Sequence, residues 1–225
     1  MNINSLKSSG KLADQFGVKA VLYGGPGTGK TPLISTAPNP ILLACEPGLL
    51  SMRGTNLPTW DAYTPARIDE FFQWFMNSKE ASRFDTLGVD SISQMAELYL
   101  RLYQTQNKDG RKAYGDLSVK MMDLLNGLYF MPNKHIVLIA KQTIADDNGV
   151  TRRRPYFPGQ DLNVKVPHLF DGIFHMGLHQ IPGIQGAQKA ICTAEQYDLM
   201  ARDRSGRLNV FEPPNLGDIF TKVMS

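Results

Sequence analysis

The chain predicts an α/β protein: a mostly parallel central sheet with helices on both faces and a β-hairpin insertion. Three observations carry that prediction. Short apolar runs recur at 18–23, 41–44, 84–89 and 135–140. Stretches with helical spacing lie between them, the alternation that crossover helices between parallel strands produce. The third is size: 225 residues, 42% hydrophobic and 20% charged, suffice for one full core and fall short of two ordinary domains.

Taken in order, residues 18–23 form the first strand and run into a glycine-rich turn followed by a helix. Pro38-Asn39-Pro40 introduces a second buried strand at 41–44. Thr64-Pro65 opens a helix, with a capping hydroxyl ahead of a proline suited to the first turn. Its Ile68, Phe71, Phe72 and Phe75 repeat at offsets of 3, 4 and 7, so this stripe, with Trp74, reads as core. A third strand at 84–89 precedes helices near 92–103 and 117–130, and 135–140 is the fourth strand. Residues 144–151 read as a hairpin in which Asn148-Gly149 supplies the positive φ angles of a tight turn. Strands near 172–177 and 189–193 and a helix from about 216 complete the pattern. No repeat or low-complexity linker interrupts it, so 18–225 is expected to be one domain preceded by an N-terminal segment, 1–17.

The net charge of +3, from 24 Lys and Arg against 21 Asp and Glu, is too mild to announce a nucleic-acid partner. Its distribution says more. Positive charge gathers at Lys108, Arg111 and Lys112, and at Arg152, Arg153 and Arg154 followed by Lys165 and His168, in segments whose Gly, Pro, Asn and Asp content reads as loop. No apolar run approaches the roughly 20 residues that span a bilayer. The first 17 residues lack the apolar region of a signal peptide. Cys45 and Cys192 offer no disulfide framework and read as reduced core residues. Together these features predict a cytoplasmic protein.

The chemistry centres on Gly24-Gly25-Pro26-Gly27-Thr28-Gly29-Lys30-Thr31, a GxxxxGKT stretch directly after the first strand. The glycines let the backbone turn tightly and aim its N–H groups at phosphate oxygens where the next helix begins. Lys30 then reaches the β- and γ-phosphates, and the Thr31 hydroxyl ligates Mg²⁺. The plain alternative is a glycine-rich turn that happens to end in Lys-Thr, and the preceding strand, the context the motif requires, speaks against it. Asp90 ends the strand Thr86-Leu87-Gly88-Val89, where an acid holds Mg²⁺ through its water shell. Asp85 opens that strand and so lies at the wrong end, since ligands bind outside the carboxyl ends of parallel strands. Glu46 follows the second strand and would project over the same edge, placed to orient and deprotonate a water. The alternative for Glu46-Pro47-Gly48 is a polar turn.

With these residues in view, the chain resembles the RecA-like P-loop ATPase core. Within it, the closest likeness is to the small phage RecA-core single-strand annealing proteins, also labelled phage nucleotide-binding or AAA-domain proteins. GGPGTGKT, ACEPG, GVDSIS, AYGDLSVKMMDLLNGL and HIVLIAKQT run parallel to that core over roughly 18–225. The resemblance implies ATP and Mg²⁺ as cofactors, Glu46 as catalytic acid–base, Asp90-Ser91 as the Mg²⁺-associated pair, and Gln142 as γ-phosphate sensor. It also implies two mobile loops lining a DNA channel, at about 104–115 and from 142 to about 165, where the positive charge gathers. There Lys108, Arg111, Lys112, Arg152, Arg153, Arg154 and Lys165 would neutralise phosphates, and Tyr156 and Phe157 would offer faces to unpaired bases. The alternative is a solvated basic hairpin covering the sheet edge.

Leu199 to Gly206 matches the basic-Asp-Arg-x-Gly stretch that precedes the last helix in the phage family. In RecA-like filaments, cations of one protomer reach the neighbour's nucleotide. Arg202 and Arg204 are the candidates here, set against a charged turn. The implied partners are single-stranded DNA, further copies of the chain in a ring or filament, and a single-strand-binding protein. With no further domain visible, residues 1–17 are the candidate subunit-contact arm, and annealing is favoured over strand exchange. The expected function is ATP- and Mg²⁺-dependent binding of single-stranded DNA that promotes annealing or homologous recombination in phage replication. Two alternatives stay open. One is a P-loop kinase with Arg152–Arg154 in its lid, opposed by Glu46 and Gln142. The other is an ATP-switched DNA-binding protein with negligible hydrolysis. His175 and His179 have metal-chelating spacing on a helix, but Gly172 and Gly177 make the stretch a strand. Four residues of strand are about 13 Å, which argues against a shared metal.

Overall fold

All five residues of Lys19–Tyr23 (β1) are buried, as they must be in a strand covered by helices on both faces. The computed structural model describes residues 7–147 and 149–225. Residues 1–6 of the expected arm and Asn148 of the expected hairpin turn lie outside the described residues. Around β1 run Pro40–Ala44 (β2), Thr59–Asp61 (β3), Thr86–Asp90 (β4) and His135–Ala140 (β5). Gln142–Asp147 (β6) and Val150–Pro155 (β7) form a separate two-stranded sheet. Gly172–Gln180 (β8), Ala187–Cys192 (β9), Arg202–Asp203 (β10) and Phe211–Glu212 (β11) complete the strands. The main sheet has the order β3-β2-β4-β5-β1-β8-β9-β11, with β10 on β8. Neighbours from β3 through β8 are parallel, and the β8–β9, β9–β11 and β8–β10 contacts are antiparallel. The predicted α/β fold with its hairpin insertion is the observed one.

Two apolar layers flank the sheet. Pro65–Asn77 (α3, after the short helices Ser9–Ala13, α1, and Lys30–Leu33, α2), Ile92–Gln106 (α4), Gly110–Tyr129 (α5) and Gln160–Leu169 (α6) pack on one face, against Val21, Tyr23, Leu43, Val89 and Leu138. Leu33 and Ile34 and the last helix, Leu216–Met224 (α7), cover Ala20, Leu22, Leu42 and Ile139 on the other. The two sets alternate along each strand, as the period of two requires. Thr64 caps α3 by accepting from Arg67 N, and Phe71, Phe72 and Phe75 are buried as the spacing predicts. Both cysteines are buried free thiols. Among the described residues no helix is long and apolar enough to cross a membrane.

Besides the short α1, β10 and β11, which the sequence did not signal, three elements depart from expectation. Helix α5 begins at Gly110, not near 117, because the Asp109 side chain caps it by accepting from Arg111 N. The expected loop over 104–115 is therefore almost wholly helical, with only 107–109 between α4 and α5. Helix α6 occupies part of the second expected loop; Gly159 before it and Pro167 inside it had hidden it. The short strand β3 at the sheet edge carried no apolar signal, and its burial pattern is mostly exposed.

Candidate active site

Four adjacent parallel strands, β2, β4, β5 and β1, deliver their carboxyl ends to one edge of the sheet, the place where open α/β sheets bind ligands. The glycine-rich loop leaves β1 there. A Cβ at Gly24 would lie 2.2 Å from the Met176 carbonyl oxygen, so only glycine lets the loop pass β8. Gly29, at φ 91°, turns the chain into α2 without a side-chain cap, leaving that helix's first N–H groups for an outside acceptor. Pro26 and Gly27 sit exposed at the crest. Thr28 Oγ1 donates to Gly25 O at 3.0 Å. Lys30 Nζ donates to the Gly24 and Gly25 carbonyls at 2.9 and 2.7 Å.

Between the loop and the strand ends lies a cleft of about 590 Å³, lined among others by Lys30, Thr31, Glu46, Asp90, Lys141 and Gln142. That volume is in the range of ligand sites. Although β5 separates β1 from β4, Thr31 crosses the gap and donates to Asp90 Oδ2 at 2.5 Å. Burial pushes the Asp90 carboxyl above its usual range, with the Thr31 bond and Lys30 opposing the rise and Glu46 adding to it. Burial also lowers the Lys30 ammonium, against the attraction of Asp90 and Glu46. These residues fit a Mg-nucleotide. The Lys30 ammonium is held by neutral oxygens of its own loop, the Gly24 and Gly25 carbonyls and more distantly the Thr28 hydroxyl, which are weaker acceptors than phosphate. A hydroxyl and a carboxylate side by side are the hard oxygen donors Mg²⁺ takes.

Glu46 stands on the same edge. Ser91 Oγ donates to Glu46 Oε1 and itself accepts from Gln94 N at 3.1 Å, so one hydroxyl caps α4 and orients the carboxylate. Lys141 Nζ lies 3.9 Å from Glu46 and bonds Glu97 and Gln94 at 2.9 and 2.8 Å. The sequence reading had passed over Lys141; its only signal was a lysine directly after the buried strand β5. Gln142 follows it, and its Oε1 lies 3.0 Å from His175 Nε2. Asp85 is at the opposite end of β4, hydrogen-bonded by Asn39.

The expected DNA-contacting residues fare differently. Lys108 is exposed between α4 and α5, and Arg111 and Lys112 are exposed on the first turn of α5. Arg152, Arg153 and Arg154 lie on β7. Arg152 pairs with Glu195, and Arg153 pairs with Asp198 at 2.6 Å. Arg154 makes no ion pair among the described residues, and its buried Nε has no hydrogen-bond partner. Lys165 is on α6, paired with Asp161 at 2.6 Å. Tyr156 is half-buried and its backbone is tied to Lys141 O and Ser93 Oγ. Phe157 corrects the sequence reading: it is fully buried in the core, so its ring has no face to offer a base. An exposed aromatic near this segment is Tyr114, which with Arg111, Pro158 and Gly159 lines a cleft of about 490 Å³ where α5 meets the start of α6.

Arg202 and Arg204 lie toward the other edge. Arg202 pairs with Ile173 at the start of β8 and donates to the Pro167 and Phe170 carbonyls. Arg204 donates to His168 O at 2.5 Å and faces Asp171 at 3.3 Å. Within this chain they close the carboxyl end of α6, a position that favours cations. In the N-terminal segment, Phe16 bridges to Pro132 and packs on Tyr129 and Phe130 of the same chain. His175 and His179 do lie on a strand, yet their rings touch, with 3.1 Å between Nδ1 and Nε2. Backbone spacing did not limit the side chains, which converge over Gly177.

No curated protein matches the chain. Solved structures similar to it include a KaiC-like protein from Pyrococcus horikoshii (16% identity, 79% of this chain and 78% of that one, TM-score 0.44). The flagellar accessory protein FlaH from Methanocaldococcus jannaschii (13% identity, 79% and 78%, TM-score 0.42) is another. A third is the RadB recombinase (14% identity, 85% and 88%, TM-score 0.48). The family profile described as AAA domain matches residues 17–205. That span runs from the strand before the phosphate loop past every residue lining the cleft, and the chain belongs to the AAA domain family of P-loop NTPases.

Proposed function

We propose that the chain is an ATP- and Mg²⁺-dependent, RecA-like protein of phage origin that binds single-stranded DNA and promotes strand annealing or homologous recombination in the host cytoplasm. One observation carries the nucleotide half of this reading: Lys30, the Thr31–Asp90 pair, Glu46 and Gln142 lie at or just beyond the carboxyl ends of β1, β4, β2 and β5 and meet around one cleft. Lys30 would exchange its backbone carbonyls for the β- and γ-phosphates, and the backbone N–H groups of Gly27 to Thr31 would surround them. Thr31 and Asp90 would hold Mg²⁺, which when bound would supply charge neutralisation at a transferring phosphate. Glu46, oriented by Ser91 and faced by Lys141, takes a proton from the attacking water. Gln142 reads the terminal phosphate.

The DNA half rests on the exposed Lys108, Arg111, Lys112 and Tyr114, with Arg154 on the hairpin. The hairpin supports a kinase lid poorly, because it is tied down: Met200 N donates to Arg153 O, Arg153 N to Asp198 O, and the Tyr23 hydroxyl to Arg153 O. We also read the protein as assembling into a ring or filament and working beside a single-strand-binding protein. Arg202 or Arg204 would reach a neighbour's nucleotide only by leaving α6. Electron microscopy with single-stranded DNA and a non-hydrolysable ATP analogue, paired with ATP turnover with and without DNA, tests the proposal. Rings or filaments on DNA support it. Turnover that ignores DNA and follows a small phosphoryl acceptor overturns it.

A further inference from the structure

Strand β8 runs parallel beside β1 and sets His175 in register with Tyr23, one residue before the phosphate loop. His175 and His179 are both buried, 3% and 9% exposed. They share one face of β8 with Gly177 between them. A Cβ at Gly177 would lie 2.8 Å from His175 Cε1, so the glycine makes room for the imidazoles to lean together. His175 Nδ1 then meets His179 Nε2 at 3.1 Å, while His175 Nε2 meets Gln142 Oε1 at 3.0 Å. The Tyr23 ring closes over His175 edge-on, and Phe211 packs on His179. Among the described residues no group of three metal-ligating side chains forms here or elsewhere.

Proton accounting fixes the direction of this chain. An amide oxygen only accepts, so His175 Nε2 carries the hydrogen and donates to Gln142. A neutral imidazole has one N–H, so Nδ1 accepts, and the donor to it is His179 Nε2. Burial first, and then the neighbouring charges, keep the pair neutral. Burial, then His179, Arg153 and Lys30, with Asp198 opposing, hold His175 down to about 3, and burial lowers His179 as well. The consequence falls on Gln142. Its oxygen is committed to His175, and its nitrogen has no hydrogen bond among the described residues while the side chain lines the nucleotide cleft. Phosphate oxygens only accept, so a glutamine that reads a phosphate has to present its nitrogen. Without His175 the carboxamide can face the cleft with either end.

We infer that His175, backed by His179, is a positioning residue that locks the Gln142 carboxamide with its nitrogen toward the terminal phosphate of a nucleoside triphosphate. A buried histidine pair on β8 thereby sets the preference for ATP over ADP. This rests on the reading of Gln142 as γ-phosphate sensor.

The test is a set of Mg-ATP and Mg-ADP binding titrations on the wild type, Gln142→Ala, His175→Phe and the double variant. Gln142→Ala lowers the ATP-to-ADP affinity ratio about tenfold, the worth of one hydrogen bond to a charged acceptor. His175→Phe lowers the ratio by a smaller, few-fold factor, the share of carboxamides no longer presenting nitrogen, with ADP affinity unchanged, and the double variant matches Gln142→Ala alone. A merely structural histidine would instead weaken ATP and ADP together. If Gln142→Ala leaves the ratio unchanged, the sensor reading itself falls. If Gln142→Ala lowers it and His175→Phe does not, the positioning inference falls and the sensor stands. The unmutated protein offers a check that does not depend on folding of a variant: ¹⁵N NMR at neutral pH reads the tautomers. Nε2–H on both histidines supports the inference, and Nδ1–H on His175 overturns it.

Discussion

At the carboxyl edge of the sheet, residues far apart in sequence (Lys30, Glu46, Asp90, Gln142) are delivered by the ends of separate strands and meet around one cleft. Across 152–165 the reverse holds: residues close in sequence are sent to unrelated partners. Arg152 goes to Glu195, Arg153 to Asp198, Lys165 to Asp161, and Phe157 into the core. The difference teaches where a local sequence pattern can be trusted. A strand ending at a glycine loop, or at an acid, states its own geometry, because parallel strands all place their carboxyl ends on one side. A cluster of arginines states only its charge. What that charge faces is decided by acids about 45 positions away.

The largest effect that sharpens this comparison is at Lys30. Lys30→Ala removes at least two charge-assisted bonds to phosphate, each worth about 1.5–3 kcal/mol, so nucleotide affinity falls by roughly 100-fold or more. The fold is retained, since the side chain bonds only to the loop itself. Isothermal titration with circular dichroism as control checks both halves. Across the divide, Phe157→Ala acts on stability: a fully buried ring removed from a core costs about 3–5 kcal/mol. Urea unfolding measures it, and a cost under about 1 kcal/mol would return the ring to the surface.

Smaller effects probe the arginines one by one. Each phosphate contact on a single strand contributes a slope of about −0.7 in log K against log salt. Arg154→Ala is expected to flatten the slope by about that amount, and adding Arg152→Ala and Arg153→Ala to flatten it no further, because Glu195 and Asp198 already neutralise those two. A flattening near 2 for the triple variant would mean that both ion pairs open on DNA and that the strand behaves as a mobile loop after all. Those exposed pairs contribute on the order of 1 kcal/mol or less to stability.

The smallest effect links the two ends of the sheet. Burial holds His175 to about 3 and His135, at the amino end of β5, to about 4, against 6.5 in the unfolded chain. Above pH 6.5 both states are neutral and neither histidine matters. Below it the unfolded chain takes up protons that the folded chain refuses, so stability falls between pH 6.5 and about 4. With solvent trimming both shifts, the loss is on the order of 1 kcal/mol per pH unit for the pair. Urea midpoints at pH 7.5 and pH 5 check it, and equal midpoints would contradict it.

Most of the fold was legible because β1, β2, β4 and β5 are buried on both faces and read as continuous apolar runs. Helix α6 was not, because Gly159 and Pro167 are ordinary loop signals and only the burial of Leu162 and Val166 overrides them. Nor was the start of α5, where a single capping side chain, Asp109, decides the boundary. In the cleft, the residues that end strands were readable. Lys141, Tyr114 and the His175–His179 contact were not, since each depends on which strand or helix lies alongside.

Glu46→Gln separates holding ATP from hydrolysing it, the two roles proposed for the carboxyl edge. ATP binding and turnover are measured on the same preparation. ATP affinity is expected within a few-fold of wild type and turnover lower by roughly 10²–10⁴, the range for loss of a general base. Turnover at the wild-type rate would contradict the role proposed for Glu46.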